Sequence, residues 1–407
     1  MTLIRGNVVR RLILSLAVAL LVLLPALGVA ASTEPLLVWC EPHKLNTIQD
    51  LAAKWSKETG IAVKVEPVSV LETANKVQLA GPLGKGPDVF PCLSGQLGML
   101  VSTGMVSPIE KSLLDLKHFI EVGIEAATYF GKLYGVPYDI SSVALIYNRE
   151  LMPDPPDTMA ELVQRSRELK VRGLFGVLWP LENFYYTYGI MKGYGGYVFG
   201  KTDDDWNVRD IGLDNAGSVR AIKLLKTLRD EGLVPVGTDH VVSQTKFTEK
   251  KACAIIDGPW VIAGVKQAGI KYGVAPIPKL DNGKYPAPFV SLKWWHISSY
   301  SKRKGDALKF IAYITSADAM YKSFKAAEGI PTRTDVLAMP DVRSTPEVAG
   351  FGAQASYCSV LPDIPAMNAV WSPMNQAIEL ALRGDKTPEA ALADAVTTIR
   401  QAIAEMK

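Results

Sequence analysis

The chain has 407 residues, of which 48% are hydrophobic and 21% charged, and it carries a net charge of +3 at neutral pH. That composition excludes a disordered chain, and so small a charge with no basic tract speaks against a nucleic-acid partner. The length exceeds one ordinary core, so two lobes are expected.

Arg5, Arg10 and Arg11 precede an apolar run from Leu12 to Leu27, and Gly28-Val29-Ala30 offers small residues where signal peptidase reads. Residues 1–31 are therefore expected to be a signal peptide cleaved near Ala30 or Ala31, which directs the mature chain to the periplasm. The same run also reads as an uncleaved anchor, because it is nearly long enough to span a bilayer. Trp39 precedes Cys40 where a lipid-attachment site needs a small residue.

Leu36-Leu37-Val38-Trp39 predicts a first strand ending at Cys40. Ile48, Leu51, Ala52 and Trp55 recur at helical spacing up to a stop at Gly60, and Ile61, Val63 and Val65 then alternate as in a strand. Strand, helix and strand of these lengths make a βαβ unit with a parallel sheet. Asp88-Val89-Phe90 begins another strand ending near Cys92, and Gly98 to Gly104 reads as a short helix. If the strands ending in Cys40 and Cys92 are parallel neighbours, about 4.8 Å apart, those cysteines come within disulfide reach. Cys253 and Cys358 are expected to be free thiols.

A Gly-punctuated hairpin, Gly131 to Tyr138, leads into the extended run Val143 to Leu151. A helix from Pro156 to Gly173 follows, with Thr158 and Glu161 in capping-box relation. Ala216 to Glu231 is a helix ended by Gly232, Phe247 and Ala252 to Ile256 predict a strand, and Tyr272 to Ile277 another. Helices over Lys304–Thr315 and Ser316–Glu328 are followed by a C-terminal helix with Thr387 as cap, Pro388 at its first position and Glu389 near its positive end. Its buried stripe is Leu392, Val396, Ile399 and Ile403.

Short motifs run the length of this order: Lys57-Glu58-Thr59-Gly60-Ile61, Gly86-Pro87-Asp88-Val89, Leu145-Ile146-Tyr147-Asn148-Arg149-Glu150-Leu151, Asp257-Gly258-Pro259-Trp260 and Leu361-Pro362-Asp363-Ile364-Pro365. In these motifs and their spacing, nearly all of the mature chain resembles the bacterial periplasmic solute-binding proteins of the maltose- and maltodextrin-binding type. The resemblance implies an α/β periplasmic-binding-protein fold of two lobes, each a mixed, mostly parallel sheet flanked by helices, with the ligand cleft between them. Residues 32–141 and 291–339 would form lobe I, and 142–290 and 340–407 lobe II. It further implies a monomer that delivers a carbohydrate to the membrane permease subunits of an ABC importer, with no cofactor.

Trp260, Trp371 and Tyr185 fall where that family stacks rings on sugar faces, and Lys44 matches a cleft lysine. Elsewhere this chain departs from the family pattern. His43, Gln96, Ser141, Asn183 and Asn375 stand where the family carries charged hydroxyl-binding groups, so maltose itself is not implied. Neutral amides and hydroxyls donate and accept, which suits sugar hydroxyls, and an apolar lining with a few placed polar groups suits a sugar's flat face. Tyr138 and Asp139 are expected at the mouth of the cleft. Lys293, before Trp294-Trp295, reads as a solvated loop residue or as a partner for an anionic group.

No Gly-x-Ser-x-Gly elbow, His-Glu-x-x-His or phosphate-cradling glycine loop is present, so a carrier is expected in preference to an enzyme. Two alternatives stay open at this point: a sugar-active enzyme on the same scaffold, and a binder of an anionic metabolite or of a metal held by Cys40, His43 and Cys92.

Overall fold

The structure is a computed structural model that describes residues 34–201, 206–326 and 329–406. The expected signal peptide lies outside the described residues. No helix among them is long and apolar enough to cross a membrane.

In chain order the first elements are β1 (Leu36–Cys40), α1 (Leu45–Thr59), β2 (Val63–Pro67), α2 (Val70–Ala80), β3 (Val89–Leu93), α3 (Leu97–Ser102) and β4 (Val136–Ser141). Then come β5 (Ala144–Asn148), α4 (Met159–Val171), α5 (Phe184–Gly193), α6 (Ala216–Asp230), α7 (His240–Thr248), β6 (Ala254–Asp257), β7 (Tyr272–Ala275) and β8 (Phe289–Ile297). The chain closes with α8 (Lys304–Ile314), α9 (Ala317–Lys325), α10 (Pro346–Ala355), β9 (Ser359–Val360), α11 (Trp371–Arg383) and α12 (Pro388–Glu405).

These elements form two sheets and two hydrophobic cores. The first sheet has the order β9-β8-β3-β1-β2, with β4 also paired to β8. Strand β1 is buried nearly throughout, as a strand covered on both faces must be. It runs parallel to β2 and β3, while β8 runs antiparallel to β3 and β4. The second sheet, β6-β5-β7, is antiparallel in both ladders. In the second lobe parallel pairing comes from the isolated bridges Thr158–Lys279, Phe175–Ala252 and Leu178–Ile255 and not from the β6-β5-β7 ladders, so mostly parallel order describes the first sheet's β2-β1-β3 and not the second. One core gathers side chains from 36–138 and 292–342, the other from 143–289 and 351–399 together with Ile330. Between β4 and β5 the chain crosses from one core to the other through Ser142 and Val143, and β8 crosses back within a single strand.

Helix ends follow their local chemistry. Gly60 takes a left-handed φ of 75° after α1, a conformation that costs a residue without a side chain little. The Thr158 hydroxyl accepts from the Glu161 amide at 3.2 Å, and the Glu161 carboxylate reaches back to the Asp157 amide at 2.9 Å. Thr387 caps α12 through the Ala390 amide at 3.2 Å; Leu392, Val396 and Ile399 are buried, while Ile403 is only half-buried. Phe247 is helical, not part of a strand. Asp239 caps α7 by accepting from the Val242 amide at 2.7 Å, so the helix runs through Phe247 and the strand starts only at Ala254.

Cys40, Cys92 and Cys253 are buried and Cys358 is half-buried, and none of the four is in a disulfide. Register explains why Cys40 and Cys92 are not bonded. Val38 lies opposite Val89, so Cys40 is level with Pro91, and Cys92 sits one residue further on. Side chains alternate along a strand, so the two sulfurs point to opposite faces of the sheet. The same offset removes the proposed metal set: among the described residues no group of three or more His, Cys, Asp or Glu side chains could hold a metal.

Candidate functional site

A cavity of about 600 Å³ lies between the two lobes. Its first wall comes from the end of β1 and the turn after it (Glu41, His43), the loop after β3 (Ser94, Gly95, Gln96), the end of β4 (Ser141) and β8 (Ser291, Lys293). The second wall carries Asn183, Tyr185 and Tyr186 at the start of α5, Trp260 after β6, and Asn368, Trp371 and Asn375 at the start of α11.

The second wall is aromatic. Trp260, Trp371 and Tyr185 are half-buried, each packed on its own lobe. The Tyr185 and Trp260 rings lie 6.3 Å apart, and Trp371 meets Phe184 edge-on at 5.9 Å. Behind them Tyr188 stacks on Phe289 at 3.9 Å, so that tyrosine is a packing residue. Asn183 caps α5 by accepting from the Tyr185 amide at 3.0 Å, and the Asn375 carbonyl accepts from the Phe184 amide at 2.8 Å. Both amides therefore keep an NH₂ group with two further donors.

The first wall is polar. Lys293 is not a solvated loop residue: it lies within β8, is 5% exposed, and donates to Glu41 Oε1 at 2.7 Å and Asp139 Oδ2 at 3.0 Å. The Tyr138 hydroxyl donates to the other Glu41 oxygen at 2.7 Å. Burial alone would raise the Glu41 carboxyl, but Lys293, Lys44 and His43 outweigh it and hold it at about 2. The enclosing walls, with Lys44 beside it, lower the His43 imidazole to about 4 although solvent reaches the ring, so it is neutral at pH 7. Ser141 Oγ is buried and makes no hydrogen bond to any described residue.

Nine residues singled out in the sequence meet at this cavity: His43, Gln96, Ser141, Asn183, Tyr185, Trp260, Lys293, Trp371 and Asn375. Three do not. Lys44, Tyr138 and Asp139 are buried behind the first wall, with Tyr138 stacked on Trp295 at 4.8 Å and Lys44 5.5 Å from the Tyr138 ring. They lie behind the wall because the Tyr138 hydroxyl and the Asp139 carboxylate are held by Glu41 and Lys293, which stand between them and the opening. Glu41, Ser94, Ser291, Asn368, Tyr186 and His240 also line the cavity and escaped the sequence reading. For Ser291 a signal existed, since Ser291 and Lys293 are polar alternates on one face of a largely apolar strand.

The loop that supplies Ser94 and Gln96 is pinned from the other lobe. Asp363 Oδ1 accepts from the amides of Gly95 at 2.9 Å and Gly98 at 3.5 Å, and its carbonyl accepts from the Tyr129 hydroxyl at 3.1 Å. Gly95 has a φ of 89°, which favours glycine there. Asp363 Oδ2 is buried with no partner among the described residues, and burial pushes this carboxyl up to about 6.

Two α/β lobes enclosing a cavity with one aromatic and one polar wall define a solute-binding protein of the clamping type. The family model for bacterial extracellular solute-binding proteins matches residues 50–350, and the chain belongs to that family. It is 30% identical to a galactooligosaccharide-binding protein of Bacillus subtilis, over 90% of this chain and 88% of that one. It is 32% identical to a maltodextrin-binding protein of the same organism, over 88% of this chain and 87% of that one. The crystal structure of a cyclo/maltodextrin-binding protein complexed with maltotetraose matches at a TM-score of 0.78 and 36% identity, over 93% of this chain and all of that one. These relatives are binding proteins.

Proposed function

We propose that this protein captures an uncharged oligosaccharide outside the cytoplasm, in the periplasm, and hands it to the membrane permease of an ABC importer without altering it. The observation that carries the reading is the pairing of half-exposed Trp260, Trp371 and Tyr185, with Asn183 and Asn375 beside them, with a facing wall of serine hydroxyls, the Gln96 amide and the Glu41–Lys293 pair in one interlobe cavity. Rings desolvate against the C–H face of a sugar, and the amides of Gln96, Asn183 and Asn375 reach its hydroxyl rim. Closure is favoured by whatever part of the binding energy is realised only with both walls in contact, and a permease that prefers the closed form reads that signal. The names of the relatives support this choice of ligand class and partner.

A thermal-shift screen with maltotetraose and β-galactotetraose tests the reading. A sugar at 100 times its dissociation constant adds about 2.7 kcal/mol of stability. Absence of any shift with neutral oligosaccharides up to millimolar concentration sinks the proposal, and recovery of cleaved sugar after incubation replaces it with an enzyme.

A further inference from the structure

Strands β4 and β8 pair so that Ser291 lies opposite Ser141 and Lys293 opposite Asp139. Alternate residues of a strand share a face, so four polar side chains form one patch where the chain crosses between lobes. Within it Lys293 has already committed protons to Glu41 and Asp139. Asp139 Oδ1 also accepts from the Ile330 amide at 3.2 Å. Buried Lys44 adds a second cation, close enough to lower the Glu41 carboxyl. Two cations and two anions cancel, and His43 adds no charge at neutral pH. Lys293 and Glu41 both remain on the cavity wall, each with hydrogen-bonding capacity left over, next to a Ser141 hydroxyl that has no partner among the described residues.

We propose that Glu41 and Lys293 form the specificity-determining pair of the cleft: a mutually neutralised floor that hydrogen-bonds uncharged hydroxyls and rejects sugars bearing carboxylate, phosphate or ammonium groups. A charged guest would lose its hydration here and find every counter-ion already engaged, whereas a hydroxyl loses little and gains charge-assisted bonds. The assignment rests on the carbohydrate reading above and adds how the site selects within that class.

Calorimetric titration of the full-length protein with maltotetraose, β-galactotetraose and the C6-oxidised uronate of each separates the two. The expected result is binding of at least one neutral tetrasaccharide, with its uronate weaker by roughly tenfold or more. Glu41→Gln keeps the shape and releases part of the Lys293 charge, so it should narrow that ratio by about tenfold, chiefly by gaining affinity for the uronate. Asp139→Asn, which alters the balance from behind the wall without touching the cavity, should narrow it too and serves if Glu41→Gln fails to fold. Equal binding of neutral sugar and uronate by the wild type overturns the inference and leaves the carbohydrate reading standing. So does an unchanged ratio in folded variants. Failure of both neutral sugars overturns both.

Discussion

Replacing Asp363 by Asn should change how stability depends on pH, because this carboxylate is carried into a buried site where, among the described residues, Oδ1 alone has hydrogen-bond partners. Its pKa rises from the ordinary 3.8 to about 6 in the folded protein, with burial as the cause. At about 1.36 kcal/mol per pH unit, ionised Asp363 costs the folded state about 3 kcal/mol once the pH exceeds 6. For an acid raised on folding, the native state holds its proton longer, so stability is greatest below 3.8 and falls as pH rises towards 6. Asn keeps the acceptor for Gly95 and Gly98 and cannot ionise. It also buries an NH₂ group where Oδ2 had no partner, a cost of about 1–3 kcal/mol that does not vary with pH. The stability of the variant minus that of the wild type should therefore climb by about 2.5 kcal/mol between pH 4 and pH 7. Urea unfolding followed by tryptophan fluorescence at four or five pH values measures it. A gap that moves by less than about 1 kcal/mol would mean that Asp363 is not the desolvated group described.

Other consequences are open to measurement. Trp260→Ala and Trp371→Ala should each weaken the sugar found by the screen by about 1–2 kcal/mol, whereas Tyr357→Ala, stacked on Tyr285 away from the cavity, should leave calorimetric affinity unchanged. Glu41, lowered to about 2 by Lys293 and Lys44 against its burial, lends stability that is complete above pH 4.5 and lost as the pH falls towards 2. Glu41→Gln should flatten that acid limb in urea titrations. In α10, a Cβ on Gly350 would clash with the Val274 carbonyl oxygen, while one on Gly352 meets nothing within 4 Å. Gly350→Ala should lower the melting temperature by several degrees, and Gly352→Ala should raise stability by about 0.5–1 kcal/mol.

What was legible in the sequence is what local physics decides. The cap at Thr158, the stop at Gly60 and the Pro388 start of α12 depend on residues a few positions apart, and each is visible as a short pattern. Trp260 follows the extended Gly258 in a short Gly-Pro-Trp turn, which is a local pattern, whereas Trp371 opens α11 directly after the 3₁₀ turn Pro365–Ala369 and only the family resemblance pointed to it. The polar wall was not legible. Glu41 meets Lys293 across 252 residues, and nothing near either one announces the other. Lys293 read as a surface residue because a lone lysine usually is one. Only the pairing of β8 with β4 turns it into a buried ion. The Cys40–Cys92 bond failed on a single residue of register, which spacing along the chain does not encode.

Strand β8 has a further consequence, for the order in which the molecule can assemble. It sits between β3 and β4, yet the Leu292 amide meets the Ser94 hydroxyl from 198 positions away. A ribosome releases β1, β2 and β3 long before their neighbour exists, leaving β3 with a bare edge. Closing so long a loop slows nucleation, and a fragment ending before Phe289 should stick to itself or to chaperones. The first sheet therefore cannot close before residues 289–297 have been made, well over halfway along the chain.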